Sequence, residues 1–159
     1  MLDLGASPGS WSEYLADILG KSGQLWALDL NPLSITAQEK LKKAGLTFQF
    51  LQQSIFDALP ENDLPKFDAV VSDMAPLTQG SRLVDCARSL ELSMRAFDVA
   101  KATLKRGGHF VVKVFHSEDA MLAAREWENS FKFGKLYRPP AVAKESKEIY
   151  FIGQNFKVE

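Results

Sequence analysis

The sequence predicts an α/β fold built on a doubly wound, mostly parallel β-sheet. Short β-rich runs alternate with stretches of helical periodicity, and this alternation is typical of strand–helix–strand units joined by right-handed crossovers. Residues 109–115 are rich in consecutive apolar side chains, as expected for a strand buried on both faces. The last two β-rich runs lie close together, which predicts a C-terminal antiparallel hairpin strand at one edge.

Each predicted element begins and ends at residues that favour such boundaries. Ser10 and Ser34 stand at the N-cap positions of the first two helices, and Gly20 and Gly45 follow their ends. The glycine pair beginning at Gly107 is predicted to end the long third helix. The predicted strands are residues 1–4, 24–28, 47–51, 67–71, 109–115, 135–137 and 149–152, and the predicted helices are residues 11–19, 35–44, 85–104 and 118–131.

The composition indicates one folded domain over residues 1–159. With 46% hydrophobic and 25% charged residues, the chain is not of the disordered class, and a net charge of -1 excludes a histone-like binder. No apolar run reaches the length of a membrane span, and the N-terminus lacks the pattern of a secretory signal. The single cysteine, Cys86, cannot form an internal disulfide. We therefore expect a monomer in the cytoplasm with no membrane contact.

Charge is distributed unevenly along the chain. The first half is acidic and the second half is basic, with a basic stretch at residues 131–147. This asymmetry suits a small-molecule site beside a site for a polyanion such as RNA. Ordinary solvated surfaces are the alternative, and charge alone favours that alternative.

Small and polar residues follow the predicted strands where a doubly wound sheet binds its ligands. The loop after the first strand differs from the dinucleotide pattern G-x-G-x-x-G, because Ser7 and Ser10 occupy two of the glycine positions. This loop favours an adenosine-containing cofactor without a pyrophosphate. Asp29, at the end of the second strand, is placed to accept the hydroxyls of a ribose, although an Asx turn would also explain it. We interpret Trp11 as facing the ligand.

Lys113 lies within the apolar strand at residues 109–115, and lysine is rarely buried without a partner. Asp73 and Glu148 are candidate partners, and a lysine held by carboxylates could orient or deprotonate a hydroxyl. The alternative is a lysine at the mouth of the strand that extends to solvent. The two histidines and one cysteine show no ligand spacing, so we expect no metal site.

Four segments of the sequence resemble one enzyme family. Residues 3–12, DLGASPGSWS, closely resemble the first motif of the FtsJ/RrmJ family of S-adenosylmethionine-dependent RNA ribose 2′-O-methyltransferases. Residues 72–76, SDMAP, residues 110–115, FVVKVF, and residues 147–150, KEIY, resemble later motifs of that family. The resemblance covers essentially the whole chain.

The resemblance implies a Rossmann-like class I methyltransferase that methylates a uridine of large-subunit ribosomal RNA, with relatives acting on tRNA or messenger caps. It implies in-line attack of a ribose 2′-hydroxyl on the sulfonium methyl of S-adenosyl-L-methionine. Of the family's catalytic set of Lys, Asp, Lys and Glu, the last three match Asp73, Lys113 and Glu148. The implied cofactor-binding residues are Gly5, Gly9, Ser10, Trp11, Asp29, Ser54 and Asp73.

The sequence departs from the family pattern at two places, upstream of the glycine motif and at residue 54. The family's first catalytic lysine lies upstream of the glycine motif, where this sequence has only Met1 and Leu2, so we expect a chain truncated at its N-terminus. Ser54 replaces an aspartate that meets the adenine edge, and Asp57 is a possible substitute. A catalytically impaired protein that binds RNA or the cofactor is therefore the main alternative. A nicotinamide dehydrogenase is disfavoured by the same loop that argues against a pyrophosphate.

Overall fold

The computed structural model describes residues 1–57, 64–140 and 146–157, which form one β-sheet between two layers of helices. Residues 141–145 of the basic stretch lie outside the described residues. The strands are β1 (Leu2–Leu4), β2 (Gln24–Asp29), β3 (Thr47–Gln52), β4 (Phe67–Ser72), β5 (Leu104–Phe115), β6 (Phe131–Tyr137) and β7 (Glu148–Phe156). The helices are α1 (Ser10–Leu19), α2 (Ile35–Ala44), α3 (Arg82–Thr103) and α4 (Glu118–Glu128).

The sheet is doubly wound, as predicted, with the strand order β3-β2-β1-β4-β5-β7-β6. Strands β1 to β5 pair in parallel, whereas β7 is antiparallel to both β5 and β6. The predicted antiparallel hairpin is confirmed, because β6 and β7 pair directly at the edge. The three residues of β1 are buried between β2 and β4, so the loop that follows β1 lies at the centre of the carboxyl edge.

Two apolar clusters hold the helices against the sheet. Residues of α3 and α4 pack with β4, β5 and β7, and Phe110, Trp127 and Phe151 are among the buried rings there. Residues of α1 and α2 pack with β2 and with Val71 of β4. Since the helices cover both faces at the centre of the sheet, the ligand-binding positions of these central strands are at their ends. Across the described ranges, no helix is both long and apolar enough to cross a membrane.

Several predicted boundaries move in the structure. Ser34 caps α2 as predicted and accepts a hydrogen bond from the Ala37 amide, but Gly9 takes the N-cap position of α1 and Ser10 is its first residue. The glycine pair at Gly107 does not end α3. Helix α3 ends at Thr103 and β5 begins at the next residue, because Leu104 is buried opposite Phe67 of β4. The register between β4 and β5 then shifts, so that Ala69 pairs with His109.

Strand β6 begins four residues earlier than predicted, and α4 ends at Glu128. Phe131 is almost completely buried and contacts the rings of Phe110 and Phe151. The apolar ring therefore belongs to the sheet rather than to the helix, which local periodicity could not reveal.

Candidate active site

The loop after β1 makes a tight turn that requires glycine at residue 5. Gly5 has φ of 81°, and its amide donates to the Leu28 carbonyl oxygen at 2.8 Å. A Cβ at this position would lie 2.3 Å from Met74 Cγ. Glycine therefore permits both the left-handed backbone and the close approach of the loop after β4.

Asp29 ends β2 beside this turn. One carboxylate oxygen, Oδ2, accepts the Ser7 amide at 3.0 Å, and Oδ1 accepts the Asn31 amide at 2.8 Å. The second bond is the Asx-type contact considered from the sequence, whereas the first ties β2 to the loop after β1. Each oxygen keeps capacity for a further hydrogen bond, so the two interpretations of Asp29 are compatible.

A cavity of about 520 Å³ opens at the carboxyl ends of β1, β2 and β4. Gly5, Asp29, Ser54 and Asp73 are among its lining residues, so the structure brings four of the predicted cofactor residues together. Exposed apolar side chains also line it: Leu30, Phe56 and Leu77. A volume of this size with apolar walls and a few polar groups is typical of sites for small organic ligands.

The other three predicted cofactor residues lie beside the cavity rather than in its lining. Gly9, with φ of 129°, faces α2, where a Cβ would lie 2.3 Å from the Cβ of Ala37. Ser10 is an exposed residue at the start of α1. Trp11 stacks on Tyr150 with ring centroids 6.1 Å apart.

Ser54 and Asp57 form one turn at the side of the cavity. The Ser54 amide donates to Asp57 Oδ2 at 2.9 Å, and the Ser54 hydroxyl oxygen accepts the Phe56 amide at 3.1 Å. The Ser54 hydroxyl keeps its own proton for a ligand. Neighbouring Gln53, which sequence reasoning missed, also lines the cavity, and its buried Nε2 has no hydrogen-bond partner within the described part of the chain.

Lys113, Asp73 and Glu148 form a cluster beside this cavity. Lys113 is 7% exposed, and its Nζ lies 3.0 Å from Asp73 Oδ1, 2.9 Å from the Asp73 carbonyl oxygen and 3.9 Å from Glu148 Oε1. Asp73 belongs both to this cluster and to the cavity lining. The three predicted side chains, which come from β5, from the loop after β4 and from β7, therefore adjoin the predicted cofactor cavity.

Tyr150 is a further member of the cluster. Its hydroxyl donates to Asp73 Oδ1 at 3.2 Å. Burial, followed by the negative charge of Asp73, raises the pKa of Tyr150 above its ordinary value, so the phenol keeps its proton. The resemblance motif at residues 147–150 contains Tyr150, but its contact with Asp73 could be found only from the structure.

Two serines of α3 support the part of β5 that carries Lys113. The pairing with β4 ends at Val112, so β5 extends past its parallel neighbour. Ser93 Oγ lies 3.2 Å from the Lys113 carbonyl oxygen and 2.5 Å from the Ser89 carbonyl oxygen, and Ser89 Oγ accepts the Phe115 amide at 2.9 Å. These hydroxyls are buried, and they bond to backbone groups that β4 no longer reaches.

A buried carboxyl lies beneath the turn. Asp3 of β1 is completely buried and accepts the Ser12 hydroxyl at 2.6 Å. Desolvation raises the pKa of Asp3 to about 6, against the opposing effect of the Ser12 hydrogen bond. The bond joins β1 to α1 across the glycine turn. Among the described residues, no group of three or more His, Cys, Asp or Glu side chains could hold a metal ion.

Comparison with known proteins assigns the family. The family model described as FtsJ-like methyltransferase matches residues 1–156, which is nearly the whole chain. The chain belongs to the FtsJ-like methyltransferase family. The resemblance found in the sequence motifs is therefore confirmed.

Curated relatives of this FtsJ-like methyltransferase include two from distant organisms. The ribosomal RNA large subunit methyltransferase E of Bdellovibrio bacteriovorus is 42% identical over 159 residues, which cover 99% of this chain and 79% of the relative. The protein of the same name from Archaeoglobus fulgidus is 36% identical over 157 residues, which cover 99% of this chain and 78% of the relative.

Solved structures confirm the Rossmann-like methyltransferase fold. A Plasmodium falciparum protein described as a ribosomal RNA methyltransferase is similar with a TM-score of 0.76 at 21% identity, covering 98% of this chain and 85% of that one. A chain of the fibrillarin/Nop5p complex is similar to this one with a TM-score of 0.64 at 21% identity. The match covers 98% of this chain and 71% of that one.

Proposed function

We propose that this FtsJ-like methyltransferase transfers a methyl group from S-adenosyl-L-methionine to a ribose 2′-hydroxyl of RNA, at a uridine of large-subunit ribosomal RNA. The observation that carries the proposal is the Lys113 amine, which is bonded to Asp73 and lies 3.9 Å from Glu148, beside a cavity of about 520 Å³. The curated relatives are named as methyltransferases of large-subunit ribosomal RNA. We further propose that the protein acts as a monomer in the cytoplasm.

The residues around the cavity fit this cofactor. Asp29 has carboxylate capacity left for the two hydroxyls of the adenosine ribose. Leu30 and Phe56 provide apolar surface for the adenine, and Ser54 has a hydroxyl proton to donate to its edge. The turn that leads into α1 has Ser7 and Ser10 at two of the positions where a pyrophosphate-binding loop has glycine. When bound, S-adenosyl-L-methionine supplies an electrophilic methyl group on a sulfonium.

The protein's own contribution is to place the hydroxyl. A lysine ammonium has three N–H donors, and Asp73 accepts two of them at hydrogen-bonding distance. Glu148 at 3.9 Å is too far for a hydrogen bond, so the third donor can bind the oxygen of the ribose hydroxyl. The Glu148 carboxylate is the nearby acceptor for the hydroxyl proton. Alignment of the attacking oxygen with the methyl provides most of the rate.

Replacing Lys113 with methionine tests this role. We expect methyl transfer to ribosomal RNA to fall by at least about a hundredfold while cofactor affinity stays within about twofold, because Lys113 acts on the acceptor. Lys105→Met is the matched control, since Lys105 lies on the same strand and pairs with Asp68 at 2.9 Å, but at the opposite end of the strand. Undiminished transfer by Lys113→Met would show that the assigned role is wrong.

Isothermal titration separates this proposal from its alternatives. We expect binding of S-adenosyl-L-methionine with a micromolar Kd, about −8 kcal/mol, and no binding of NAD. Cofactor binding without transfer to any RNA would favour the catalytically impaired alternative. Transfer to tRNA or to cap ribose, but not to ribosomal RNA, would change the substrate class. Resistance of the methylated linkage to alkaline hydrolysis would identify the 2′-oxygen as the acceptor.

A further inference from the structure

The outermost strand of the sheet, β6, presents an exposed row of two aromatic rings and a lysine. Phe133, Lys135 and Tyr137 alternate along the strand, so their side chains lie on one face of the sheet. Phe133 is 65% exposed and Tyr137 is 42% exposed. Lys135 is also exposed, and its Nζ lies 5.7 Å from the centre of the Tyr137 ring. We call these three residues the aromatic edge.

The aromatic edge is continuous with the candidate active site. Tyr137 pairs with Tyr150 of β7, and Tyr150 pairs with Lys113 of β5, so the three residues form one row across neighbouring strands. Directly opposed residues share a face, and the Cα atoms of Lys113 and Tyr137 are therefore about 10 Å apart. Phe133 lies about 13 Å further along β6. Trp11, stacked on Tyr150, adds a ring beside this row.

Positive charge surrounds the aromatic edge. A hollow of about 610 Å³ beside β6 is lined by Lys132, Lys135 and Lys157, and Glu128 is the acidic residue among its lining side chains. Within the described ranges, Lys132 and Lys135 form no ion pair. Unneutralised lysines beside exposed rings are complementary to an unpaired nucleic acid strand, whose bases stack on aromatic side chains while its phosphates meet cations. A duplex would keep its base faces stacked inside.

We propose that the aromatic edge binds the unpaired nucleotides that flank the methylated ribose. Bases stack on Phe133 and Tyr137, and a phosphate lies near Lys135. This inference rests on the proposed function, because it places the acceptor ribose at Lys113. It adds a binding surface, on the outermost strand, for the nucleotides beside the target.

Binding of a fluorescein-labelled, unpaired oligouridine of about ten nucleotides tests the proposal in the full chain. We expect the double variant Phe133→Ala/Tyr137→Ala to bind this RNA about tenfold more weakly or worse, and to bind an RNA duplex of the same length within about twofold of the original protein. Tyr14→Ala and Leu122→Ala are the matched controls, because these side chains are 67% and 57% exposed on α1 and α4. Both controls should bind as the original protein does.

Lys135→Gln provides a second measurement that does not remove a ring. It should reduce the slope of log affinity against log salt concentration by about 0.7 for the unpaired RNA, whereas Lys42→Gln on α2 should leave the slope unchanged. Unchanged binding of unpaired RNA by the double variant, together with normal methyl transfer, would refute RNA binding by the aromatic edge and would not affect the proposed function. Absence of methyl transfer in the unmutated protein would overturn the proposed function itself, whatever the variants bind. Equal losses for unpaired and duplex RNA would also overturn the stacking role.

Discussion

Replacing Asp3 with asparagine is expected to change how the stability of the protein depends on pH. Asp3 lies fully buried in β1, where the Ser12 hydroxyl donates to one carboxylate oxygen and the other oxygen has no partner among the described residues. Desolvation penalises the anion more than the Ser12 bond stabilises it, so the pKa of Asp3 rises from 3.8 to about 6. The carboxyl therefore changes charge close to neutral pH in the folded protein.

The direction of this pKa shift determines whether the free energy of unfolding rises or falls with pH. Between about pH 4 and pH 6 the folded protein keeps a proton that the unfolded chain releases. The stabilising contribution of Asp3 is therefore fully present below the unfolded pKa and is lost as the pH rises through the folded pKa. A pKa difference of about two units corresponds to about 3 kcal/mol. Since asparagine carries no titrating proton, the free energy of unfolding of wild type should fall by about this amount relative to Asp3→Asn.

Urea denaturation at a series of pH values measures that difference directly. Subtracting the two unfolding free energies cancels the contributions of the carboxyl groups that do not interact with Asp3; Asp73 and Asp29 do interact with it. Asp68→Asn is a control of opposite sign, because the Lys105 ammonium lowers the pKa of this exposed carboxyl. In Ser12→Ala the fall should move to higher pH, because the hydrogen bond that lowers the pKa of Asp3 is gone. A difference between wild type and Asp3→Asn that stays constant from about pH 3 to pH 8 would refute the reasoning.

Three further outcomes are expected. Gly5→Ala should lower the free energy of unfolding by about 2 kcal/mol or more and weaken S-adenosyl-L-methionine binding in a titration, because the new methyl would meet Met74. Gly20→Ala is the control, since its methyl would meet no atom and only the strain of its positive φ would lower stability. The double variant Ser89→Ala/Ser93→Ala should lower kcat by about tenfold in a steady-state assay and leave cofactor affinity unchanged. The reason is that the end of β5 that carries Lys113 loses two hydrogen bonds to its backbone, and an unchanged kcat would contradict this. RNA affinity measured by anisotropy should fall linearly with salt on logarithmic axes, and a flat response would argue against phosphate contacts.

Much of the fold could be predicted from local sequence signals. The alternation of strands and helices, the hairpin at the C-terminal edge and the Ser34 cap depend on periodicity and on residues close together in the chain. The boundaries that moved depend on partners elsewhere in the chain. Leu104 and Phe131 enter the sheet because Phe67 and Phe110 lie next to them in space, which no local pattern reveals.

The sequence by itself determined the family motifs and the expectation that Lys113, Asp73 and Glu148 meet. Parallel strands bring their carboxyl ends to one edge, and an antiparallel last strand begins at that same edge. Only the tertiary structure decided that Tyr150 joins this cluster, with its hydroxyl bonded to a carboxylate 77 positions away in the chain. It also decided that Trp11 stacks on Tyr150 beside the cavity, and that Gly9 packs against α2. These contacts depend on how distant elements pack, and the chemical identity of one residue does not specify its neighbours in space.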